Sequence, residues 1–300
     1  MSITREQYNA IPAVNFSLLK KYMQSPAHFY QEFTFGQDSD DAETESKALR
    51  MGKAIHAYVL EPEKFKENYV FIDFEERPVK VSKSGGPADY RTKANKEWRE
   101  NLIGHYRTFG KSVLNSKDEF DEISAMGKSV KDNKAASILL NGCVNEEIIE
   151  WVDADTGVRC KAIVDFNKPS KALHGDLKSM EDASPEAFGK YLAKWHTHVQ
   201  LAYYADGLAA IHKCSFETAF VIAIEKKAPY VCQPYFIDDS DMQLGRSIYK
   251  SLLVMHKSCT ENAKWGGYDS VYENHNGIIV AKLPTWAHNK AENDEKLQNH

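Results

Sequence analysis

No two of the five cysteines form a C-x-x-C pair; Cys143, Cys160, Cys214, Cys232 and Cys259 are scattered. That spacing speaks against a zinc ribbon or an iron–sulfur cluster. An odd number of scattered cysteines reads as buried, reduced thiols. No apolar run approaches the roughly 18 residues of a membrane span. Met1-Ser2-Ile3-Thr4-Arg5 leads into polar sequence and carries no signal-peptide core. A cytoplasmic protein with no membrane association is the expectation. Internal repeats and low-complexity tracts are missing too. So is a basic excess: the net charge is −5, whereas a nucleic-acid binder ordinarily shows a basic footprint. The charge is segregated, however. Residues 38–45 hold five acids and no base, while Arg77 to Arg99 carries seven Lys and Arg.

The 300 residues are 42% apolar, enough for a sizeable core. Asn15 or Ser17 can cap a short helix, and Ser25-Pro26 is a restart signal. The acidic stretch after Gly36 reads as a solvated loop. A stronger helix is expected at about 46–60, with Gly52, His56, Val59 and Leu60 on one stripe. Ser-Lys-Ser-Gly-Gly-Pro marks a loop within 77–90, and 91–140 read as helices with a break near 107–116. Three strands follow at Glu147–Asp153, Val158–Phe166 and Ala172–Lys178, joined tightly as an antiparallel meander. Helices at 184–195 and 197–213, strands at 218–224 and 230–237, and a helix at 240–263 complete the pattern. The order implies a mixed α/β core. One domain over 1–300 is expected: a mainly helical part at 1–140, a sheet core at 141–265 and a tail at 266–300.

The chemistry concentrates in Lys161-Ala162-Ile163-Val164-Asp165 and Gly175-Asp176-Leu177-Lys178. Alternate strand residues share a face, so Asp176 and Lys178 point one way and Leu177 into the core. Asp165, at the end of the preceding strand, faces them across a short loop. Two carboxylates there can converge on one divalent cation, with the Leu177 carbonyl as a third oxygen. Lys178 can then reach a water on that ion. Phosphodiester hydrolysis needs this set. Taken alone, an Asp-x-Lys at a strand end is more often an exposed edge pair. Glu146, Glu147 and Glu150, ahead of the first strand, are outside candidates for a further ligand. Arg50 suits a phosphate contact or a solvated helix charge equally. Gln200 and Tyr204 share a helix face and can pack or support a site. His196 and His198 form an H-x-H, but they open a helix, which argues against zinc.

The segment Asp165 to Lys178 resembles the PD-(D/E)XK nuclease signature, with Val164 where the proline usually stands. Gly52-Lys53-Ala54-Ile55-His56 is similar to the G-x-x-x-H motif of the RecB-like branch, and Gln200 to Tyr204 to its Q-x-x-x-Y motif. Further segments resemble the RecE (exonuclease VIII) family, among them Tyr8–Ala13, Leu60–Phe65, Tyr90–Lys96 and Leu283–Ala287, all in the same order. This resemblance implies a restriction-endonuclease-like fold, a mixed central sheet flanked by helices with a helical N-terminal portion. It implies Mg²⁺, replaceable by Mn²⁺, at His56, Asp165, Asp176 and the Leu177 carbonyl. It implies exonuclease action on linear double-stranded DNA, degrading the 5′ strand in the 5′-to-3′ direction and leaving 3′ single-stranded tails for recombination. A RecT-like annealing partner and a ring-shaped homo-oligomer, tetramer or trimer, go with it. The alternative is a catalytically silent DNA-binding or assembly module, which would have no reason to keep His56, Asp165, Asp176 and Lys178 together. An iron–sulfur RecB-like nuclease is disfavoured by the missing cysteine cluster.

Overall fold

The structure is a computed structural model that describes residues 5–36, 46–72, 93–114, 116–272 and 274–283. The acidic run at 38–45 and the loop at 77–90 lie outside the described residues. Helices α1 (Arg5–Ala10), α2 (Phe16–Leu19), α3 (Pro26–Phe35), α4 (Lys47–Leu60) and α5 (Pro62–Asn68) come first. Strand β1 (Tyr69–Phe71), α6 (Lys93–Thr108), β2 (Ser112–Leu114), α7 (Lys117–Asp132) and α8 (Lys134–Leu140) follow. The central part runs β3 (Val144–Val152), β4 (Arg159–Lys168), β5 (Leu173–Met180), α9 (Pro185–Trp195), α10 (Thr197–His212), β6 (Thr218–Glu225), β7 (Cys232–Phe236) and α11 (Asp239–Asn262).

The five-stranded sheet has the order β3-β4-β5-β6-β7. Its β3–β4–β5 meander and its β6–β7 hairpin are antiparallel, while β5 and β6 are parallel. The parallel pair requires a crossover, and α9 with α10 supplies it. The sheet is therefore mixed and flanked by helices, as expected from the sequence. The pair β1–β2, parallel and three residues each, fills the break at 107–116 and has no counterpart in the sequence reading.

Each face of the sheet has its own core. On one side Ile149, Trp151, Val164, Leu201, Tyr203 and Val221 pack together. On the other, Ile55, Met126, Phe166, Leu177, Ile222 and Ile224 do so. Helix α10 is buried nearly all round, from Thr197 to Ala205, as a helix without a polar stripe must be. It lies between the sheet and α11, and two glycines set the spacing. A Cβ on Gly207 would meet the Trp151 ring at 2.7 Å, and one on Gly245 would meet the His198 carbonyl oxygen at 2.5 Å. Helix α4 begins at Ser46, whose hydroxyl accepts from the Leu49 N–H at 3.2 Å. Its buried stripe is Met51, Ala54, Ile55 and Leu60. Of the expected stripe Leu60 is buried, while Gly52, His56 and Val59 are half-buried, so His56 lies beside the core rather than in it.

The N-terminal segment acts on the sheet directly. Val14 donates to the Arg159 carbonyl at 2.9 Å and accepts from the Lys161 N–H at 2.8 Å. The Lys161 ammonium is buried and donates to the carbonyls of Tyr8, Asn9 and Ile11 at 2.8, 3.1 and 2.9 Å. Since β3 occupies one edge of β4, Val14 takes the other edge, where β5 would otherwise continue. Strands β4 and β5 accordingly pair over three rungs only, from Lys168↔Leu173 to Phe166↔Gly175.

Candidate active site

The next two opposed positions, Asp165 and Asp176, are where β4 and β5 part. Asp165 therefore stands inside β4, not at a strand end before a loop as the sequence suggested. The Leu177 N–H donates to Asp165 Oδ2 at 2.8 Å. The carboxylate thus satisfies a donor at the point where the ladder stops. Leu177 itself is buried in the core, and Lys178 Nζ lies 2.6 Å from Asp176 Oδ2. The alternation expected along β5 is present.

Strand β4 changes faces at Asp165. Val164 belongs to one core and Phe166 to the other, although residues two apart on a regular strand share a face. The register shows no insertion, since Asn145↔Phe166 and Glu147↔Val164 flank the break. What marks it is Glu146, directly opposite Asp165 and left-handed at φ 50°. Such a backbone in a non-glycine residue costs on the order of 1–3 kcal/mol. The result is that Glu146 joins the site. His56 Nδ1 lies 3.4 Å from Asp165 Oδ2 and 3.8 Å from Glu146 Oε1. The three residues present donor atoms within 4.8 Å of one another.

Of the three glutamates, Glu146 is thus the one at the site. All three stand within β3 rather than ahead of it. Glu147 accepts from Asn167 Nδ2 at 2.6 Å and pairs with His212 at 3.1 Å, and Glu150 pairs with Arg159 at the surface. Arg50 departs from the phosphate-contact expectation. Its guanidinium is bound by both Glu119 oxygens, at 2.7 and 3.2 Å, an ion pair that ties α4 to α7. Gln200 Nε2 donates to Tyr204 Oη at 2.6 Å, which leaves the phenol proton for another acceptor.

The electrostatics are those of crowded carboxylates that raise the pKa of their neighbours Asp176, His56, Lys178 and Tyr204. Asp176 is fully buried, and neither of its oxygens makes a hydrogen bond of acceptable geometry among the described residues, despite the close Lys178 ammonium. Burial, and then the charge of Asp165, push its carboxyl up to about 8. Burial works against a charged His56, but Asp165 and Glu146 prevail and lift it to about 9. Burial also opposes the Lys178 charge, and Asp176 and Asp165 overcome it. Tyr204 is held neutral by burial and by the same two carboxylates. A divalent cation fits this donor set: hard oxygens from Glu146, Asp165 and Asp176, plus one imidazole. Unpartnered buried carboxylate oxygens are what such an ion would satisfy.

The fold and the site define a PD-(D/E)XK-type protein: a mixed sheet whose two central strands part around an Asp and an Asp-x-Lys. The family model "PDDEXK-like domain of unknown function (DUF3799)" matches residues 15–272, and the chain belongs to that family. No curated protein matches it in sequence. Among solved structures it is similar to a "Putative exonuclease" from Eubacterium rectale, with a TM-score of 0.58 at 13% identity, over 95% of this chain and 96% of that one. At that identity the likeness shows the shared fold.

Proposed function

We propose that the protein is a divalent-metal-dependent exodeoxyribonuclease acting on linear double-stranded DNA. The observation that carries this reading is the convergence of Glu146, Asp165 and His56 beside a buried, unsatisfied Asp176 with Lys178 against it. Family membership and the exonuclease-like fold support it. Mg²⁺ is the natural ion, with Mn²⁺ as a substitute that the imidazole favours. When bound, the ion polarises a phosphoryl oxygen and acidifies a water.

The chain's own groups do the rest. Glu146, Asp165, Asp176 and His56, with the Leu177 carbonyl as a further oxygen, hold the ion. The Lys178 ammonium, free to leave Asp176 once that carboxylate is engaged elsewhere, holds the attacking water or the developing charge. Tyr204, fixed by Gln200, offers a neutral hydroxyl beside both carboxylates. Digestion of the 5′ strand, 3′ tails for strand annealing, a RecT-like partner and a ring-shaped oligomer rest on the RecE resemblance and are part of the proposal. Incubating the protein with linear and nicked-circular duplex, with Mg²⁺ and with EDTA, tests it. Loss of the linear form alone, only with Mg²⁺, is expected. Cutting of the circle would point to an endonuclease, and binding without cleavage to the silent module.

A further inference from the structure

A charged surface beside the site is not used by the reading above. Trp195 closes α9 and is 48% exposed, an uncommon position for so large an apolar ring. Two ammonium groups flank it: Lys194 Nζ lies 5.3 Å from the ring centroid and Lys20 Nζ, from the turn after α2, 5.7 Å. Tyr191 lies one helical turn back, its ring 6.2 Å from that of Trp195. His196 and His198 follow, with rings 6.5 Å apart. Here α10 begins, and its N-cap, His196, makes no side-chain capping bond.

Lys20 and Tyr191 lie within electrostatic reach of the site. Lys20 has its pKa lowered by burial, then by the charges of Lys21 and Lys178. Tyr191 is raised by burial while sensing Lys178 and Asp176. Two lysines thus gather at an exposed indole, in a chain whose net charge is −5. An aromatic face between cations is the chemistry of an unpaired nucleic-acid strand: a base stacks on the ring and its flanking phosphates meet the amines.

We propose that Trp195, with Lys20 and Lys194, forms a stacking platform that holds an unpaired DNA nucleotide next to the cleavage site. The proposal rests on the nuclease reading and specifies the strand form that the site takes. A base on Trp195 fixes the neighbouring phosphodiester relative to Asp176 and Lys178.

The test is anisotropy of a labelled single-stranded oligonucleotide and of a blunt duplex, in EDTA so that no cleavage occurs. Stacking on one aromatic is worth about 1–3 kcal/mol, so Trp195→Ala should weaken single-strand binding roughly 5- to 150-fold. Trp195→Phe should recover part of the loss. Lys20→Ala and Lys194→Ala should each flatten the salt dependence by about 0.7. Phe236→Ala, an exposed aromatic on edge strand β7, should bind as wild type, and thermal melting confirms that each variant folds. If wild-type binding is intact but folded Trp195→Ala binds single strands equally well, the platform is wrong and the nuclease reading stands. If wild type binds neither DNA form, both fall.

Discussion

Burial and the charge of Asp165 push the Asp176 carboxyl up to about 8 even with the Lys178 ammonium 2.6 Å away. A carboxyl raised so far above its unfolded value, about 4, destabilises the fold at neutral pH whenever it is ionised without a metal ion. Asp176→Asn should therefore raise the thermal midpoint of the metal-free protein by at least about 2 °C, as 1 kcal/mol does in a chain of this size. It should also remove hydrolysis by on the order of 10³-fold or more. Scanning calorimetry in EDTA and a duplex-digestion assay check the two halves. Lys178→Ala should abolish hydrolysis while Mn²⁺ binding persists. The sequence made Asp165, Asp176 and Lys178 visible because strand period decides which side chains share a face. It could not single out Glu146 from its acidic neighbours, since the left-handed backbone at that position arises from tertiary context. Arg50 was open for a similar reason: its partner, Glu119, lies 69 residues away.

Most helices were legible because their start signals are local. Ser25, Ser46 and Ser184 each accept a backbone N–H three residues on. The β1–β2 pair was not, because three-residue strands show no alternation and their partners are about 43 residues apart. The parting of β4 from β5 was equally hidden, since it depends on Val14 and Lys161 meeting across the chain. The β3–β4 turn offers a test of element-level stability. Asp153 is buried there, accepts from the Thr156 N–H and hydroxyl at 3.0 and 2.7 Å, and pairs with Lys250 on α11. Burial opposes the charge, but Lys250 and Thr156 hold the Asp153 carboxyl below its ordinary pKa. A depressed carboxyl contributes stability above the unfolded value, near pH 4, and loses it as pH falls through the folded value. Asp153→Ala should therefore cost about 3 kcal/mol at pH 7. The gap to wild type should hold at pH 5 and shrink below about pH 4, as urea unfolding at each pH would register.

For the whole molecule, the net charge of −5 is the feature that a DNA-acting enzyme must overcome. Local segregation is one means, which the proposed platform at Trp195 would supply. The proposed ring would be the other, because threaded duplex cannot diffuse away sideways. Light scattering should then give a mass well above the 34.1 kDa chain, and loaded enzyme challenged with trap DNA should leave long degradation tracts. A monomer that degrades DNA distributively would remove the ring without touching the site. The site itself is tested most directly by calorimetric titration of Mn²⁺ into protein stripped with EDTA, without DNA. The account predicts saturable binding by wild type and by Lys178→Ala, roughly tenfold or greater weakening in Glu146→Gln, and loss in Asp165→Ala. A wild-type protein that takes up no Mn²⁺, or one whose isotherm Asp165→Ala reproduces, would contradict the metal site at the parting of β4 and β5.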